Sequence, residues 1–296
     1  MTLLVVAALI VAVFFVLERL KKGAAPPVSE KPALTVPQNV PKQKRKEGPG
    51  KGYMEHQPYT TVLPIPSRHP RKGPIGPGTV AIIIDDMGSS VSEAEELMAI
   101  GLPLTFSIIP GLAHVKGVAD AAHAGGYQIM IHIPMEPKGY PKQRMEKYGL
   151  LLSQSDEEIR NRLQGFLREV PYARGANNHM GSRFTEEREK MLPVIGFLKG
   201  NGLFFIDSMT TPHSVGYRLA REMGVETALR NVFIDNTQDV AAIRVQLEQL
   251  AAMARKKGSA IGICHPHRTT IQALTEVMPE LRKGGINFVY AEELVR

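Results

Sequence analysis

The sequence has a single cysteine, Cys264, in 296 residues. One thiol cannot form a disulfide within the chain, and it cannot build a zinc site made of several cysteines. Cys264 follows the apolar residues Ala260 to Ile263, so we interpret it as a small buried hydrophobic residue and not as a nucleophile. A metal site in this chain would therefore draw on carboxylates and imidazoles.

An excess of positive charge is missing from the larger part of the chain. The formal net charge is +7, but residues 19–78 carry 12 Lys and Arg against 3 Asp and Glu, whereas residues 79–296 carry 24 against 25. A nearly neutral domain without a basic stripe is a poor nucleic-acid binder. We predict no nucleic-acid partner, and we expect the basic segment to lie against anionic lipid.

The first 18 residues suggest a membrane segment. Met1 to Leu17 contain no charged residue, and as a helix they would span about 25 Å, close to the thickness of a bilayer core. We predict that residues 1–18 form an N-terminal membrane anchor or signal-like helix, and an uncleaved anchor is favoured because no Ala-x-Ala site follows directly. The basic residues that follow this segment would by themselves keep its C-terminal flank in the cytoplasm. We nevertheless expect the domain to face the periplasm or the cell exterior.

Residues 19–78 are predicted to be a disordered, Pro-rich and basic linker. Twelve of the 22 prolines fall between residues 23 and 78, and no apolar periodicity is present there. Such a composition cannot bury enough apolar surface to offset the chain entropy lost on folding. We therefore place the folded domain at residues 79–296.

From Thr79 onward, short apolar runs alternate with helical patterns. The predicted strands cover residues 79–85, 102–109, 127–133, 172–178, 202–206, 232–235, 259–264 and 286–290. The predicted helices cover residues 91–100, 115–124, 155–170, 185–199, 214–223, 240–257 and 270–283. About eight short strands with helical crossovers indicate an α/β fold with a mostly parallel sheet, either closed as a barrel or left open.

One strand runs directly into two carboxylates. Val80 to Ile84 are apolar and mostly β-branched, and Asp85 and Asp86 follow. An ionised carboxylate at the end of a core strand needs a partner or a metal ion. Asp86 or a following serine could cap the next helix, which would explain one carboxylate but not both. Since neighbouring strand residues point to opposite faces, we expect Asp85 and Asp86 to have different roles.

Polar residues also follow other predicted strands, at the end where α/β active sites form. These residues are His132, Glu136, Asn177, Asn178, His179, Asp207, Ser208, His265 and His267. Carboxylate and imidazole ligands without thiolates suit zinc or another first-row divalent ion. Asp86, His132 and His179 are the most economical set of three ligands. Glu136 is a candidate for a fourth ligand, a contact to a substrate hydroxyl or the cap of a turn.

Four of these stretches resemble a known family. They are Ile83-Ile84-Asp85-Asp86-Met87-Gly88, Ile131-His132-Ile133-Pro134-Met135-Glu136-Pro137, Asn177-Asn178-His179-Met180-Gly181-Ser182 and Phe205-Ile206-Asp207-Ser208. Their order resembles the NodB-type polysaccharide deacetylases and, more closely, the divergent polysaccharide deacetylase family, over about residues 79–296.

This resemblance implies an irregular (β/α) barrel of about seven or eight mostly parallel strands. It also implies a metal-dependent enzyme that removes N-acetyl groups from a sugar polymer such as a peptidoglycan-type glycan. By position in the family pattern, Asp85 is the catalytic base, Asp86 a metal ligand and His265 the acid. The NodB pattern has two histidines four residues apart, and Glu136 stands where the second would be, so His179 is the candidate replacement.

Five further residues receive supporting roles. Arg174 is the candidate for the arginine of the family pattern. Asn177, Asn178 and His267 are candidates for binding or orienting the substrate. Asp207 either orients a histidine or the base, or is a turn or helix-cap carboxylate.

Two other functions compete with the deacetylase. A non-catalytic envelope protein with the same barrel could bind a glycan or a protein partner, and fold alone does not exclude that function. A glycoside hydrolase is disfavoured because adjacent Asp85 and Asp86 cannot readily flank a glycosidic bond.

Overall fold

The computed structural model describes residues 78–296. The predicted anchor at residues 1–18 lies outside the described residues, as does the predicted linker apart from its last residue, Gly78. Within the described range, no helix has both the length and the apolar character needed to cross a membrane.

The described residues form nine strands and seven α-helices in alternation. The strands are β1 Thr79–Met87, β2 Thr105–Ile108, β3 Gln128–Met135, β4 Gly175–Met180, β5 Phe204–Asp207, β6 Thr227–Leu229, β7 Val232–Phe233, β8 Ser259–Cys264 and β9 Asn287–Val289. The helices are α1 Val91–Met98, α2 Val115–Ala124, α3 Asp156–Glu169, α4 Arg188–Gly200, α5 Gly216–Glu222, α6 Val240–Lys257 and α7 Arg268–Lys283. Short 3-10 helices cover Phe184–Glu186 and Ala291–Leu294.

All ladders between the strands are parallel, and eight strands follow the order β6-β5-β4-β3-β2-β1-β8-β7. Among the described residues, the end strands β6 and β7 share no ladder with each other, so the sheet curls without closing by hydrogen bonds. This arrangement, with helices in the crossovers, confirms the predicted irregular (β/α) barrel.

β1 lies at the centre of the sheet. It pairs with β8 along Thr79 to Ile84, while on its other edge β9 pairs with its first three residues and β2 with its C-terminal half. Every residue of β1 except Asp86 is buried. The β-branched run of β1 therefore forms the most enclosed strand of the barrel, as its composition predicts.

Side chains alternate between the two faces of the sheet. Val80, Ile82 and Ile84 belong to the apolar cluster that packs under the helices. Ala81 and Ile83 belong to a second cluster, to which α1–α7 contribute no residue and which therefore fills the inside of the curled sheet. Because the period of a strand is two residues, this alternation fixes which strand-end residues can point inward.

The predicted helices agree with the observed helices to within three residues at their ends, and three of them begin at an N-cap that is readable in the sequence. Ser90 Oγ accepts a hydrogen bond from the backbone N–H of Glu93, so Ser90 caps α1 and Asp86 does not. Ser155 and Glu158 form a capping box at the start of α3. The strand β6 was not predicted, since three residues are too few to produce a strand pattern.

Candidate metal and catalytic site

Three predicted site residues point into the barrel above its inner apolar cluster. Asp85, His132 and His265 each follow an interior residue by two positions; these interior residues are Ile83, Met130 and Ile263. Side chains two positions apart on a strand share a face. The sheet therefore collects the three side chains at the carboxyl ends of β1, β3 and β8.

Asp86 reaches the same space through a bulge in β1. Its φ is +57°, in the left-handed region, and the register between β1 and β2 shifts between Ile84 and Met87. As a result, Asp85 Oδ2 lies 3.4 Å and Asp86 Oδ1 lies 3.2 Å from the same atom, Nε2 of His132. The expectation that the two carboxylates point to opposite faces does not hold, because regular alternation ends at the bulge.

Asp86, His132 and His179 bring three possible ligand atoms together. Asp86 Oδ1 lies 2.8 Å from His179 Nδ1 and 3.2 Å from His132 Nε2, and the two ring nitrogens are 3.2 Å apart. Ligands held at 2.0–2.1 Å around a tetrahedral ion are separated by about 3.3 Å. Asp86 Oδ1 is buried, and no hydrogen bond of acceptable geometry reaches it from the described residues. The donor set and its spacing fit a divalent metal ion.

The charges of this group also fit a cation. Burial alone would raise the pKa of Asp86, but its contacts with His132 and His179 outweigh burial and hold the pKa well below its usual range. Burial lowers the pKa of His132, but Asp85 and Asp86 outweigh burial and raise it. The two carboxylates thus require positive charge at this point, which either a protonated imidazole or a metal ion can supply.

Asn177 determines which nitrogen of His132 faces the site. Asn177 Nδ2 donates to Asp85 Oδ1 at 2.8 Å, so Asn177 Oδ1 faces Ser107 Oγ at 2.6 Å and His132 Nδ1 at 2.7 Å. An amide oxygen only accepts, hence His132 Nδ1 carries a proton and, in the neutral ring, Nε2 offers its lone pair to the site. Asn177 therefore orients both the predicted base and a predicted ligand. No sequence pattern pointed to Ser107, which lies in the middle of β2.

His179 presents its other nitrogen to the site. Its Nδ1 faces Asp86 and His132, and its Nε2 lies 3.5 Å from Glu146 Oε2. Glu146 lies on the segment between β3 and α3 and was not predicted as a site residue. Its distance of 33 positions from His179 and the absence of a strand pattern around it explain why sequence reasoning missed it.

Asp85 lies beside the three ligand atoms and is 3% exposed. Burial raises the pKa of Asp85, and the charge of His132 and the hydrogen bond from Asn177 offset part of that rise. A carboxylate with a raised pKa is a stronger base than an ordinary aspartate. Asp85 is thus placed and tuned to accept a proton next to the candidate metal position.

His265 lies near Asp86 and is paired with Asp235. His265 Nδ1 is 3.1 Å from Asp235 Oδ1, and His265 Nε2 is 3.9 Å from Asp86 Oδ2. Burial opposes protonation, but the hydrogen bond and charge of Asp235 outweigh it and raise the pKa of His265 to about 9. His265 is therefore protonated at neutral pH and points a proton donor toward the site. Asp235 is the last residue of the predicted strand 232–235, so the same strand-end pattern could have identified it.

His267 belongs to this second group. Ligand atoms of Asp235, His265 and His267 all lie within 4.8 Å of one another. The Asp235 carboxylate is already engaged, however, because Oδ2 accepts the backbone N–H of His265 at 2.7 Å and the hydroxyl of Thr270 at 3.0 Å. We therefore interpret Asp235 as the support of His265, with His267 at its edge.

Glu136 is not brought to the three ligand atoms. Its carboxylate accepts the backbone N–H of Leu152 at 2.9 Å and pairs with Arg183 at 3.1 Å. Of the possibilities considered for Glu136, the geometry corresponds to the cap of a turn, since the side chain fixes the segment that follows β3.

Asn178 and Asp207 point to the outer face of the sheet. Asp207 follows the interior residue Ile206 directly, and its Oδ2 accepts the Ser214 hydroxyl at 2.7 Å and the Tyr217 N–H at 3.0 Å. Asn178 is the neighbour of Asn177, and its Oδ1 accepts the backbone N–H of Ser208 at 3.0 Å. Both side chains hold loops at the rim, so the turn interpretation of Asp207 matches the geometry.

Arg174 lies at the opposite end of the sheet, before the first residue of β4, and its guanidinium pairs with Glu292 at 2.9 Å. Another arginine, Arg230, lies near the site instead. It donates to the carbonyls of Ser208 and Met209 at 2.6 and 2.9 Å, and its guanidinium lies 5.1 Å from the ring centre of Phe233. Burial lowers the pKa of Arg230, and the negative charges of Asp85 and Asp207 offset part of that effect.

The sequence matches the model of the divergent polysaccharide deacetylases over residues 82–295. This range contains both carboxylates of β1, the three candidate ligands and the Asp235–His265 pair. The match covers well over half of the chain.

Two relatives share this part of the chain. The uncharacterised protein YibQ of Escherichia coli strain K12 is 36% identical over 222 residues, which cover 75% of this chain and 69% of that protein. An uncharacterised protein of Haemophilus influenzae strain Rd is 35% identical over 195 residues, which cover 66% of this chain and 69% of that protein.

Two solved structures share the fold. An uncharacterised protein from Agrobacterium tumefaciens C58 has a TM-score of 0.72 and 25% identity, and the match covers 76% of this chain and 92% of the other. A putative cellobiose-phosphate cleavage protein from Enterococcus faecalis V583 has a TM-score of 0.53 and 16% identity, with 74% and 99% covered, and shows likeness of fold alone. The family match and the relatives show that this chain belongs to the divergent polysaccharide deacetylase family.

Proposed function

We propose that this protein is a metal-dependent hydrolase that removes N-acetyl groups from a cell-envelope polysaccharide, such as a peptidoglycan-type glycan. One observation supports the proposal: the triangle of possible metal ligands has beside it both the buried carboxylate of Asp85 and the imidazole of His265, which is paired with Asp235. An amide hydrolase needs these three functions, namely an electrophile, a base and an acid. Family membership supports the choice of a polysaccharide as substrate.

Asp86, His132 and His179 would hold the metal ion. A divalent ion bound there supplies Lewis-acid chemistry, because it polarises an amide carbonyl and lowers the pKa of a water molecule. The bulge of β1 and the bond from His132 to Asn177 direct the ligand atoms to one point. None of the three ligands is a thiolate. A set of one carboxylate and two imidazoles suits several first-row divalent ions, and zinc is the expected one.

Asp85 acts as the general base. Its Oδ1 is held by Asn177 Nδ2, and its Oδ2 is the oxygen nearest to His132 Nε2. This oxygen takes a proton from the water that attacks the acetamide carbonyl carbon, and burial strengthens Asp85 as a base. The water oxygen then becomes bonded to the carbonyl carbon.

His265 acts as the general acid. Asp235 holds Nδ1–H, so that Nε2–H points toward Asp86 and the reacting group. The carbon–nitrogen bond breaks as Nε2 gives its proton to the sugar nitrogen, and the products are acetate and a free amine. The proton on Asp85 returns to His265 or to solvent before the next turnover, which restores both groups.

We also propose that the barrel is held at a membrane by residues 1–18 and extended from it by the linker of residues 19–78, with the domain at residues 79–296 facing the periplasm or the cell exterior. The uncharged run from Met1 to Leu17 supports the anchor, and the Pro-rich composition supports the linker. In that location the site would have access to envelope glycans.

The test is deacetylation of a panel of chitooligosaccharides and peptidoglycan fragments by the purified full-length protein loaded with zinc. We expect acetate release by the wild-type protein and none by Asp85→Asn, since an amide fills the same space but cannot accept the proton. Metal content should be equal in the two proteins. A fully metallated wild-type protein that releases no acetate from any glycan would contradict the proposal and favour a glycan- or protein-binding role. Near-normal activity of Asp85→Asn would contradict the assigned base.

A further inference from the structure

The two ring nitrogens of His179 lie in different surroundings. Nδ1 faces Asp86 Oδ1 at 2.8 Å and His132 Nε2 at 3.2 Å, so it is the nitrogen that can join the ligand triangle. Nε2 is buried, and it lies 3.5 Å from Glu146 Oε2. Glu146 Oε2 is buried as well, and neither atom has a hydrogen bond of good geometry within the described residues.

We propose that Glu146 is a positioning residue for the metal site: it accepts a hydrogen bond from His179 Nε2–H and thereby keeps the lone pair of Nδ1 directed at the metal position. A neutral imidazole carries its proton on one nitrogen only. A carboxylate beside Nε2 favours the tautomer with the proton on Nε2, which is the tautomer that ligates through Nδ1. A shortening of about half an ångström turns the present contact into a hydrogen bond of ordinary length.

The other ligand histidine has an equivalent support. His132 Nδ1 is 2.7 Å from Asn177 Oδ1, which leaves Nε2 for the site. The two rings therefore use opposite nitrogens toward the metal position, and each has an oxygen acceptor behind the nitrogen that faces away. Asn177 comes from the neighbouring strand, whereas Glu146 comes from a connecting segment.

That segment is tied to the strand that carries His132. The backbone N–H of Gly149 donates to the carbonyl of Glu146 at 3.0 Å, and the N–H of Leu150 donates to the carbonyl of Pro134 in β3 at 2.8 Å. The guanidinium of Arg162 also donates to the carbonyl of Gly149 at 3.1 Å. These bonds hold the backbone next to Glu146 against the end of β3, so the carboxylate is delivered by an anchored turn.

The inference rests on the metal site of the proposed function but not on turnover, so metal binding is the quantity to measure. Zinc affinity of the purified full-length protein is determined by competition with a chromogenic chelator, for the wild type, Glu146→Ala, Glu146→Gln and the control Glu157→Ala. Glu157 is an exposed acidic residue in the first turn of α3.

We expect Glu146→Ala to bind zinc about 10- to 100-fold more weakly, the range typical for loss of an outer partner of a metal ligand. Glu146→Gln should retain most of the affinity, because its amide oxygen can still accept the Nε2–H. Glu157→Ala should bind as the wild type does, and the metal-free variants should unfold at similar temperatures.

A spectroscopic readout separates positioning from general damage. In the cobalt-substituted protein, the ring N–H protons of His132 and His179 give separate exchangeable, paramagnetically shifted proton signals. In Glu146→Ala the His179 signal should disappear, or its proton should exchange faster with solvent. The His132 signal should remain, since Asn177 is unchanged.

Equal zinc affinity of Glu146→Ala and the wild type overturns the inference, and so does loss of both proton signals in that variant. Failure of the proposed function looks different. A wild-type protein that binds zinc tightly but deacetylates no glycan refutes the enzyme, while the affinity ratio still decides the role of Glu146. A wild-type protein that binds no zinc refutes both.

Discussion

Replacing Asp235 with asparagine should change the charge of His265 without changing its position. Asp235 Oδ2 accepts the backbone N–H of His265 and the Thr270 hydroxyl, and the oxygen of an amide can keep both bonds. The amide NH2 would then face His265 Nδ1, where Asp235 Oδ1 lies at 3.1 Å in the wild type. An NH2 group donates, so it favours a neutral His265 with its proton on Nε2, whereas the carboxylate favours the doubly protonated ring.

The size of the effect follows from the position of the wild-type pKa. Burial acts to lower the pKa of His265, yet it is raised from 6.5 to about 9, chiefly by the hydrogen bond and charge of Asp235. This rise corresponds to roughly 3 kcal/mol in favour of the charged ring. Without the carboxylate, burial is opposed only by Asp85 and Asp86, so we expect the pKa of His265 to fall by about 2 units or more.

Stability gives an independent measure with a defined sign. The folded pKa of His265 lies above its unfolded value, so its contribution to the free energy of unfolding is fully present below about pH 6.5 and is lost as the pH rises through about 9. The free energy of unfolding of the wild type should therefore exceed that of Asp235→Asn, and the difference should be larger at pH 6 than at pH 10. Urea unfolding of the metal-free proteins at the two pH values measures this difference.

The direct assay is titration of the histidine rings of the metal-free proteins by proton–nitrogen correlation NMR, with His265→Gln to assign the signal. The alkaline limb of deacetylase activity should move to lower pH in Asp235→Asn in parallel. A pKa of His265 in Asp235→Asn within about half a unit of the wild-type value would refute the reasoning, because the shift would then have a cause other than Asp235.

Three further predictions concern metal, acid and domain boundary. His132→Ala should lower bound metal without unfolding the domain, and equal metal content by plasma emission analysis would contradict the assigned ligands. His265→Ala should keep its metal but lose most of the rate and the alkaline limb of the pH profile, because the amine must leave protonated; an unchanged profile would remove His265 as the acid. A fragment beginning at Thr79 should be soluble and unfold cooperatively. A fragment that retains Gly78 should have a free energy of unfolding about 1 kcal/mol higher, since the Gly78 carbonyl accepts the Asn287 N–H at 3.1 Å. Aggregation of both fragments, with a well-behaved full chain, would mean that part of the linker packs on the barrel.

Regular elements could be predicted because local patterns decide them. α2, α6 and β8 have the predicted bounds, since caps, glycines and apolar runs mark their ends in the sequence. β6 could not be predicted, because it exists through pairing with β5 over three residues and not through its own composition. The order of the strands in the sheet and the open edge between β6 and β7 also depend on tertiary pairing, so local sequence patterns could not predict them.

The strand-end rule found the region of the site but not the direction of each side chain. The alternation of side chains between the two faces of a strand explains most of the difference. His265 follows interior Ile263 by two positions and points inward, whereas Asp207 follows interior Ile206 by one position and points outward. Asp86 departs from this alternation because its φ is left-handed, and no residue pattern predicts that φ. Glu146 was invisible because it reaches the site through the fold of a connecting segment.

The length of β3 gives a physical reason why Glu136 does not join the candidate ligands. β3 continues as an extended strand to Met135, so Glu136, four residues after His132, lies about 13 Å further along the chain direction. No side chain can return over that distance to the nitrogen of His132. The parallel register pairs His132 with Asn177 and Pro134 with His179, which puts His179 on the same face as Asn177 and one strand away from His132. A turn at Met180 and Gly181, both with positive φ, follows at once and directs the chain away from the site. The neighbouring strand β4 can therefore supply the second imidazole of the candidate site, whereas the extended course of β3 carries Glu136 out of reach.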